Sequence, residues 1–136
     1  MRTFIDTNVF LYAAGGAHPQ REGCARVLRR VAEGTLEATV NSEVIQEILY
    51  VLSRRGKRTD ALALASHVSS LFPDLLPITR SDIQKACELL RLYPELAVRD
   101  AIHAATMMQN GIHQLISVDA DFDQIRGIRR IDPSAA

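Results

Sequence analysis

The chain has no net charge, few aromatic side chains and no long apolar run. Its 16 Lys and Arg residues balance 16 Asp and Glu residues, so affinity for nucleic acid must come from local patches or from bound metal. Aromatic residues make up only 5% of the sequence, which argues against an extended base-stacking platform. No apolar stretch approaches the ~20 residues of a membrane span, and the amino-terminal residues predict a strand, not a signal peptide. The sequence therefore predicts a cytoplasmic protein without a membrane segment.

Several motifs of other protein classes are also missing. The two cysteines, Cys24 and Cys87, lie far apart within helical patterns and predict reduced thiols. The four histidines show no paired ligand spacing, which argues against a structural zinc site. No Gly-x-Gly-x-x-Gly follows the first strand, so a nucleotide-binding Rossmann domain is not indicated. A phosphatase with an aspartyl nucleophile commonly has an acid two residues after the first aspartate, whereas Asn8 stands there.

What the sequence does have is an alternation of strand and helix patterns. We predict strands over residues 2–5, 36–40, 75–78 and 115–118, with a fifth over 128–131. Helical periodicity lies between them, with starts predicted at Thr7, at His18-Pro19, at Asn41 or Ser42, at 59, at Ser81-Asp82 and at Val98. The alternation predicts an α/β fold with a short, mostly parallel sheet of four to five strands and helices on both faces. We expect one domain over residues 1–132 and a frayed tail over 133–136.

Four isolated carboxylates stand where strands end or helices begin. Asp6 closes the first strand, Asp119 follows the last long one, Asp100 opens an alanine-rich helix, and Glu47 lies on an earlier apolar helix. Ligands of alternating α/β folds gather at the carboxyl ends of the strands, so these acids can converge. Two carboxylates ~4 Å apart repel by roughly 4 kcal/mol at an effective dielectric near 20, and hard divalent cations prefer oxygen ligands. The pattern predicts a metal-dependent phosphodiesterase site, although each acid also has a simpler interpretation as a helix cap or a solvated side chain.

Other polar residues are candidates for secondary roles. Asp121 and Glu43 are possible accessory ligands, and Asp123 is expected on the solvated surface. Asn8 is expected to fix the backbone near Asp6. The Ser117 hydroxyl could bond Asp6 or a metal-bound water, although a merely packed strand serine explains it equally well. Five basic residues could hold RNA phosphates, although a solvated surface explains each equally well: Arg54, Arg55, Lys57, Arg58 and Arg99.

Four stretches together resemble the PIN-domain ribonucleases, particularly the small VapC-type toxins of prokaryotic type II toxin–antitoxin pairs. They are Phe4-Ile5-Asp6-Thr7-Asn8, 42–49 (Ser-Glu-Val-Ile-Gln-Glu-Ile-Leu), 99–105 (Arg-Asp-Ala-Ile-His-Ala-Ala) and 117–122 (Ser-Val-Asp-Ala-Asp-Phe). Any one of them is a weak signal, but their order in a chain of this size makes the resemblance specific. It covers residue 3 to about 131. Ser117 stands where the family often has threonine, which preserves the hydroxyl.

The resemblance implies a three-layer α/β/α sandwich and a Mg²⁺- or Mn²⁺-dependent endoribonuclease that cleaves single-stranded RNA through a metal-activated water. Carried over position by position, it implies that Asp6, Glu47, Asp100 and Asp119 are the catalytic, metal-binding acids. It also implies an antitoxin partner whose tail fills the acidic groove, and a homodimer. Two alternatives remain open: a catalytically silent PIN-like scaffold that binds protein or RNA, and a housekeeping RNA-processing nuclease. The RNA target, the cleavage site and the number of metal ions are not fixed by the sequence.

Overall fold

The computed structural model of the chain describes residues 2–136. This part of the chain forms four short strands, six α-helices and two 3-10 helices. The strands are β1 (Thr3–Ile5), β2 (Ala38–Thr39), β3 (Gln114–Ile116) and β4 (Arg129–Ile131). The helices are α1 (Thr7–Ala14), α2 (Arg21–Ala32), α3 (Ser42–Arg54), α4 (Arg58–Leu71), α5 (Arg80–Leu92) and α6 (Val98–Gln109), and the 3-10 helices span Ala120–Gln124 and Pro133–Ala135.

The strands form one sheet in the order β2-β1-β3-β4, and every neighbouring pair is parallel. In register, Thr3 pairs with Ala38 on one side and with Gln114 on the other, and Gln114 pairs with Arg129. Because all four strands run the same way, their carboxyl ends meet at one edge of the sheet. The helices complete a three-layer α/β/α sandwich, as predicted.

The hydrophobic core lies on both faces of the two central strands. Phe4, Ile5, Leu115 and Ile116 are almost completely buried, and each such side chain contributes roughly 1.5–3 kcal/mol through removal of apolar surface from water. On α6 the buried residues near the sheet include three alanines at 101, 104 and 105. Small side chains allow a helix axis to approach its neighbours closely, so α6 can bring its first turn up to the strand ends.

The predicted strand over 75–78 is wrong. Only a single bridge forms there, between Asn41 and Leu76, with Leu76 N donating to Val40 O and Ser42 N donating to Leu76 O. The next residue, Pro77, has no N–H to continue a ladder. The second strand is also shorter than the predicted 36–40, and β3 ends at Ile116 instead of Val118.

Two predicted helix starts also differ from the structure. The second helix begins at Arg21 and not at His18-Pro19. Thr79, not Ser81 or Asp82, caps α5: its hydroxyl accepts from Asp82 N, and the Asp82 carboxylate accepts from Thr79 N. This reciprocal pair satisfies two amide groups that a helix start leaves without partners.

The carboxyl terminus is more ordered than the frayed tail we expected. Residues Pro133–Ala135 form a 3-10 helix with Pro133 buried. This helix lies so close to α2 that a Cβ on Gly23 would come within 3.1 Å of Ser134 N. A glycine on α2 therefore makes room for the terminal segment.

Within residues 2–136, no helix is both long and apolar enough to cross a bilayer.

Asn41 connects the two helices that carry most of the predicted acids. Its Oδ1 accepts from Val44 N at 3.1 Å, which caps α3, and its Nδ2 donates to Thr106 Oγ1 of α6 at 3.0 Å. The side chain is fully buried, so both hydrogen bonds lie away from water. Asn41 thereby fixes the start of α3 relative to the middle of α6.

We predict that Asn41→Ala lowers the free energy of unfolding by about 2 kcal/mol, because it removes both a helix cap and a buried hydrogen bond. Asn41→Ser is the matched control: serine is a good cap but is too short to reach Thr106, so about half of the loss should return. Urea unfolding of the three proteins measures the effect. Equal stability of wild type and Asn41→Ala would contradict the proposed connection.

Candidate metal centre

Asp6 lies at the carboxyl end of β1, where the chain turns into α1. Its backbone is extended and its side chain caps α1, with Oδ1 accepting from Thr7 N at 2.8 Å. Its Oδ2 accepts from the Ser117 hydroxyl at 2.6 Å. Asp6 is only 4% exposed, so these donors replace water around a nearly buried carboxylate. The expectation that Ser117 would bond Asp6 is confirmed.

Glu47 reaches the same edge of the sheet from the second turn of α3. Its Oε1 accepts from the Thr7 hydroxyl at 3.0 Å and faces His103 Nε2 at 2.9 Å. His103 Nε2 is also 3.6 Å from Asp6 Oδ1. Potential ligand atoms of Asp6, Glu47 and His103 all lie within 4.8 Å of one another. This group, the Asp6–Glu47–His103 cluster, joins the end of β1 to α3 and α6.

A second group consists of Asp100, Asp119 and Asp121, whose carboxylate oxygens also lie within 4.8 Å of one another. Asp100 is in the first turn of α6. Asp119 caps the 3-10 helix Ala120–Gln124, with Oδ1 accepting from Asp121 N at 2.9 Å. Asp119 N in turn donates to the Ser117 hydroxyl at 3.0 Å. The aspartate cluster, as we call it, is partly exposed, and Asp121 is its most exposed member.

The charges of the two clusters influence one another, as the pKa of Asp100 shows. Burial raises the pKa of Asp100 from 3.8 to about 7, and the negative charges of Asp6, Asp119 and, to a lesser extent, Glu47 act in the same direction. His103 only partly opposes them. Charges influence a pKa strongly only at short range, so the four predicted acids share one pocket at the carboxyl edge of the sheet.

The pKa values in the Asp6–Glu47–His103 cluster shift for different reasons. Burial raises the pKa of Asp6, although His103 and the Ser117 hydrogen bond act against it. For Glu47, burial alone would raise the pKa, but His103 and Thr7 outweigh it and the pKa is lowered. Burial alone would lower the pKa of His103, but Glu47, Asp6 and Asp100 raise it. Glu47 is therefore held as a carboxylate, whereas Asp100 retains a proton near neutral pH.

The accessory residues are placed around the pocket in different ways. Asn8 Nδ2 donates to the Ser117 hydroxyl at 3.3 Å, and Asn8 Oδ1 accepts from Val118 N at 3.4 Å, so Asn8 fixes the segment between β3 and Asp119. Glu43 lies one turn before Glu47 and pairs with Arg99 at 3.6 Å. Burial and Glu47 raise the pKa of Glu43, against the opposing charges of His103 and Arg99.

Of the five predicted phosphate-binding residues, Arg99 alone is next to a pocket acid in sequence. Its guanidinium lies 4.7 Å from the Tyr50 ring centroid. Arg54 also lies over this ring, at 5.7 Å, and donates to the Tyr50 hydroxyl. Seven residues of helix separate Glu47 from Arg54, roughly 10 Å at 1.5 Å per residue. Although the backbone of Arg54 lies towards the end of α3, its side chain and that of Arg99 lie over the same Tyr50 ring.

Arg55 and Lys57 lie beside a groove of about 460 Å³. Its lining includes apolar side chains of α1, α3 and α4, among them Leu11, Leu52 and Leu64. Arg58, the first residue of α4, is exposed. Arg55 and Lys57 therefore line a mainly apolar groove whose lining includes none of the five clustered carboxylates.

Arg130, which the sequence did not single out, supports the loop that carries Asp119. It forms two hydrogen bonds to the Asp123 carboxylate, at 2.9 and 3.2 Å, and donates to Ser117 O at 3.0 Å. Asp123 is exposed, as expected, and its hydrogen bonds to Arg130 lower its pKa. The paired geometry of guanidinium and carboxylate fixes direction as well as distance. This link connects β4 to the 3-10 helix after Asp119.

Thr7 and His103 are the other contacts that sequence reasoning did not assign to the site. His103 is fully buried, and its ring centroid lies 5.4 Å from that of Phe4. The three-residue spacing from Asp100 was the available signal, because it places both side chains on one face of α6.

The donor set of the pocket fits a hard divalent cation. Five carboxylates and one imidazole converge there, and carboxylate oxygens are the ligands that such ions prefer. Burial first, and then the charges of Asp6 and Asp119, raise the pKa of Asp100, and a bound cation would oppose both effects. A parallel α/β/α sandwich with clustered acids at the carboxyl edge of its sheet offers the oxygen ligands that a divalent cation in a phosphodiesterase site would need.

Comparison with known proteins agrees with this assignment of class. The PIN domain family model matches residues 3–128. Ribonuclease VapC13 of Mycobacterium tuberculosis is 31% identical over 127 residues, covering 93% of this chain and 97% of the relative. Ribonuclease VapC7 of the same organism is 32% identical over 133 residues, covering 97% and 92%. The chain belongs to the PIN domain family, so the predicted family is confirmed.

Solved structures with the same fold include Mycobacterium tuberculosis VapC20, described as a sarcin-ricin loop cleaving toxin. It has a TM-score of 0.75 and 21% identity, covering 89% of this chain and 92% of that one. VapBC2 from Rickettsia felis, bound to a DNA fragment from their promoter, also has a TM-score of 0.75, with 16% identity and 97% and 98% coverage. These likenesses confirm the predicted three-layer fold.

The Asp100 pKa predicts how the stability of the metal-free protein depends on pH. Because the pKa rises from 3.8 to about 7 on folding, the folded state binds the proton more tightly, so stability falls as pH rises through this interval. Asp100→Asn should stabilise the metal-free protein by on the order of 1 kcal/mol at about pH 8, allowing for partial exposure, and give no benefit at about pH 4. Thermal unfolding in EDTA measures this difference. A variant less stable than wild type at the higher pH would contradict the shift.

Proposed function

We propose that this protein is a Mg²⁺- or Mn²⁺-dependent endoribonuclease that cleaves single-stranded regions of RNA, with Asp6, Glu47, Asp100 and Asp119 as its metal-binding acids. The observation that carries the proposal is the grouping of ligand atoms: those of Asp6, Glu47 and His103 lie within 4.8 Å of one another, and so do those of Asp100, Asp119 and Asp121. Burial, and then the charges of Asp6 and Asp119, also raise the pKa of Asp100. Carboxylates brought together without matching positive charge destabilise a fold, and a cation removes that cost. The relatives named VapC ribonucleases support RNA as the substrate.

The acids divide into two roles by their surroundings. Asp100 and Asp119 are partly exposed, with Asp121 beside them as a possible accessory, so they are the proposed direct ligands together with Asp6. Glu47 accepts two hydrogen bonds on Oε1, which suits contact through an intervening water. A bound divalent ion supplies a more acidic water as nucleophile and offsets charge on the phosphoryl oxygens.

The protein's own residues prepare this chemistry in three ways. Asp100 releases its proton when positive charge enters the pocket, since metal ligands must be deprotonated. Ser117 and Thr7 N hold the two oxygens of Asp6, so its carboxylate cannot turn away. Asn8 and Arg130 fix the segment that carries Asp119. Their combined effect is to fix the acids before substrate arrives, which lowers the reorganisation that the reaction requires.

RNA is proposed to reach the pocket past Arg99, which lies one residue before Asp100 and is half exposed. Its guanidinium pairs with Glu43 and lies over Tyr50, and a phosphate can compete with Glu43 for it because guanidinium binds both groups in the same paired geometry. The formal net charge of zero means that binding depends on such local contacts.

In the cell we propose a toxin, acting on RNA in the cytoplasm as a homodimer and neutralised by a cognate antitoxin protein. The similarity to VapC relatives along nearly the whole chain supports this role over a housekeeping processing enzyme. The complete set of acids in the pocket supports an active nuclease over a silent scaffold. A partner that fills the pocket or the approach past Arg99 would block cleavage directly.

Asp6→Asn and Asp119→Asn should each reduce Mg²⁺-dependent RNA cleavage at least about 100-fold, because removal of a metal ligand weakens the ion that carries the chemistry. Glu33→Gln is the matched control, since Glu33 is exposed at the end of α2 that leads into β2, on the opposite edge of the sheet. Gel analysis of a labelled RNA in a nuclease-free preparation, with and without EDTA, measures the effect. Undiminished cleavage by Asp6→Asn would reject the site.

Induction of the wild-type protein in cells should arrest growth, whereas Asp6→Asn should not. Co-expression of a short neighbouring reading frame with a DNA-binding head and a disordered tail should restore growth. Sequencing of RNA 5′ ends after induction gives the substrate and the cut position in the same experiment. Normal growth with active, purified nuclease would favour an RNA-processing role instead.

A further inference from the structure

His103 is a buried polar side chain that the proposed chemistry does not require as a ligand. It is fully buried on α6, between the Phe4 ring below and the carboxylates of Asp6 and Glu47 above. Asn41 and Thr106, another buried polar pair between α3 and α6, hydrogen-bond each other, whereas His103 faces Glu47. His103 therefore serves a different contact from the one that holds the helices together.

One ring nitrogen of His103 has no partner. Within residues 2–136, Nδ1 is the buried side-chain nitrogen or oxygen without a hydrogen bond. Such an atom carries a desolvation cost that an apolar side chain of similar size would avoid. Fold stability alone therefore does not favour histidine at this position. The benefit must lie in what the other nitrogen does.

The arrangement of partners places a ring proton on Nε2. Nε2 faces the acceptor Glu47 Oε1 at 2.9 Å, whereas Nδ1 faces none, so Nε2 carries a proton whether the ring is neutral or charged. This assignment follows from the hydrogen-bond network, which is how tautomers are inferred. Nε2 then donates to the same oxygen that accepts from the Thr7 hydroxyl at 3.0 Å. Two donors from two different elements converge on one atom of Glu47.

We propose that His103 is a positioning residue: with Thr7 it fixes the Glu47 carboxylate through Oε1 and leaves Oε2 to face the cation or its water. The inference rests on the proposed function, because it concerns how Glu47 serves the metal. Glu47 lies on α3, and its side chain is 18% exposed, so without these donors it could turn towards solvent. Thr7 of α1 and His103 of α6 therefore hold the Glu47 side chain where these two helices meet α3.

Mn²⁺ titration calorimetry of the wild type, His103→Leu and His103→Gln tests this proposal. Leucine fills the buried space but donates nothing, so Mn²⁺ affinity should fall roughly 10–100-fold, the usual effect of removing a hydrogen-bond partner of a ligand. Glutamine carries an amide nitrogen as many bonds from the backbone as Nε2, so it should recover most of the affinity. Thr7→Val removes the second donor and should weaken Mn²⁺ binding in the same direction.

The melting temperature in EDTA separates positioning from a purely structural role. His103→Leu should lower the melting temperature, because it leaves the Glu47 carboxylate without a buried donor. Thr79→Ala is the matched destabilising control: it removes the cap of α5 and should lower the melting temperature without changing Mn²⁺ affinity. Mn²⁺ affinity that falls in His103→Leu but not in Thr79→Ala supports the proposal.

The remaining outcomes overturn either the inference or the function beneath it. Wild-type Mn²⁺ affinity in His103→Leu, or a glutamine variant as weak as the leucine variant, overturns the role of His103 alone. If His103→Leu does not fold, the glutamine and Thr7→Val variants decide in the same way. A wild-type protein that takes up no Mn²⁺ overturns the metal site itself, and is thus distinguishable from failure of the inference.

Discussion

Repulsion between carboxylates at one edge of a small parallel sheet is the constraint on which the rest of this structure depends. In the Asp6–Glu47–His103 cluster, hydrogen-bond donors offset this repulsion. Thr7, Ser117 and His103 donate to the oxygens of Asp6 and Glu47. In the aspartate cluster, burial and then the charges of Asp6 and Asp119 raise the pKa of Asp100 to about 7, so Asp100 is only partly ionised near neutral pH. Hydrogen bonds thus stabilise the carboxylates of the Asp6–Glu47–His103 cluster, whereas the aspartate cluster still requires positive charge. This arrangement is expected of a site that a cation completes.

The fold supplies the rigidity that such a pocket needs. Asp6 follows a completely buried strand, and Asp119 follows β3 through Ser117, itself fully buried. Asn41 links α3 to α6, and Arg130 links β4 to the loop after Asp119. Because these connections join different elements, no single helix can move its acid without breaking a buried contact. The metal-free protein consequently bears the repulsion as a stability cost instead of relieving it by spreading apart.

Much of this arrangement was predictable from the sequence, and the errors have identifiable causes. Asp6 and Asp119 follow apolar strands, so the parallel sheet dictates that they meet. Glu47 was harder, because helical periodicity gives the face of α3 but not which neighbour covers that face. The strand predicted over 75–78 failed at Pro77, where a missing N–H outweighed the β propensity of the surrounding apolar residues. Contacts of Thr7, His103 and Arg130 depend on tertiary packing, which single-sequence patterns do not encode.

The contrast between the two clusters also implies that Glu47 and Asp100 have different roles, although the sequence predicts both simply as metal-binding acids. A carboxylate that is already hydrogen-bonded on one oxygen, as Glu47 is through Oε1, offers the other oxygen in a fixed direction and loses little entropy on binding. A protonated, partly exposed acid such as Asp100 must give up its proton first, so its contribution grows with pH. The buried Asp6–Glu47–His103 cluster, at β1, α3 and α6, therefore fixes the positions of the ligand atoms. The partly exposed aspartate cluster makes metal binding depend on pH. A substitution on the buried side should affect metal affinity at every pH, whereas one at Asp100 should have effects that change between acidic and neutral solution.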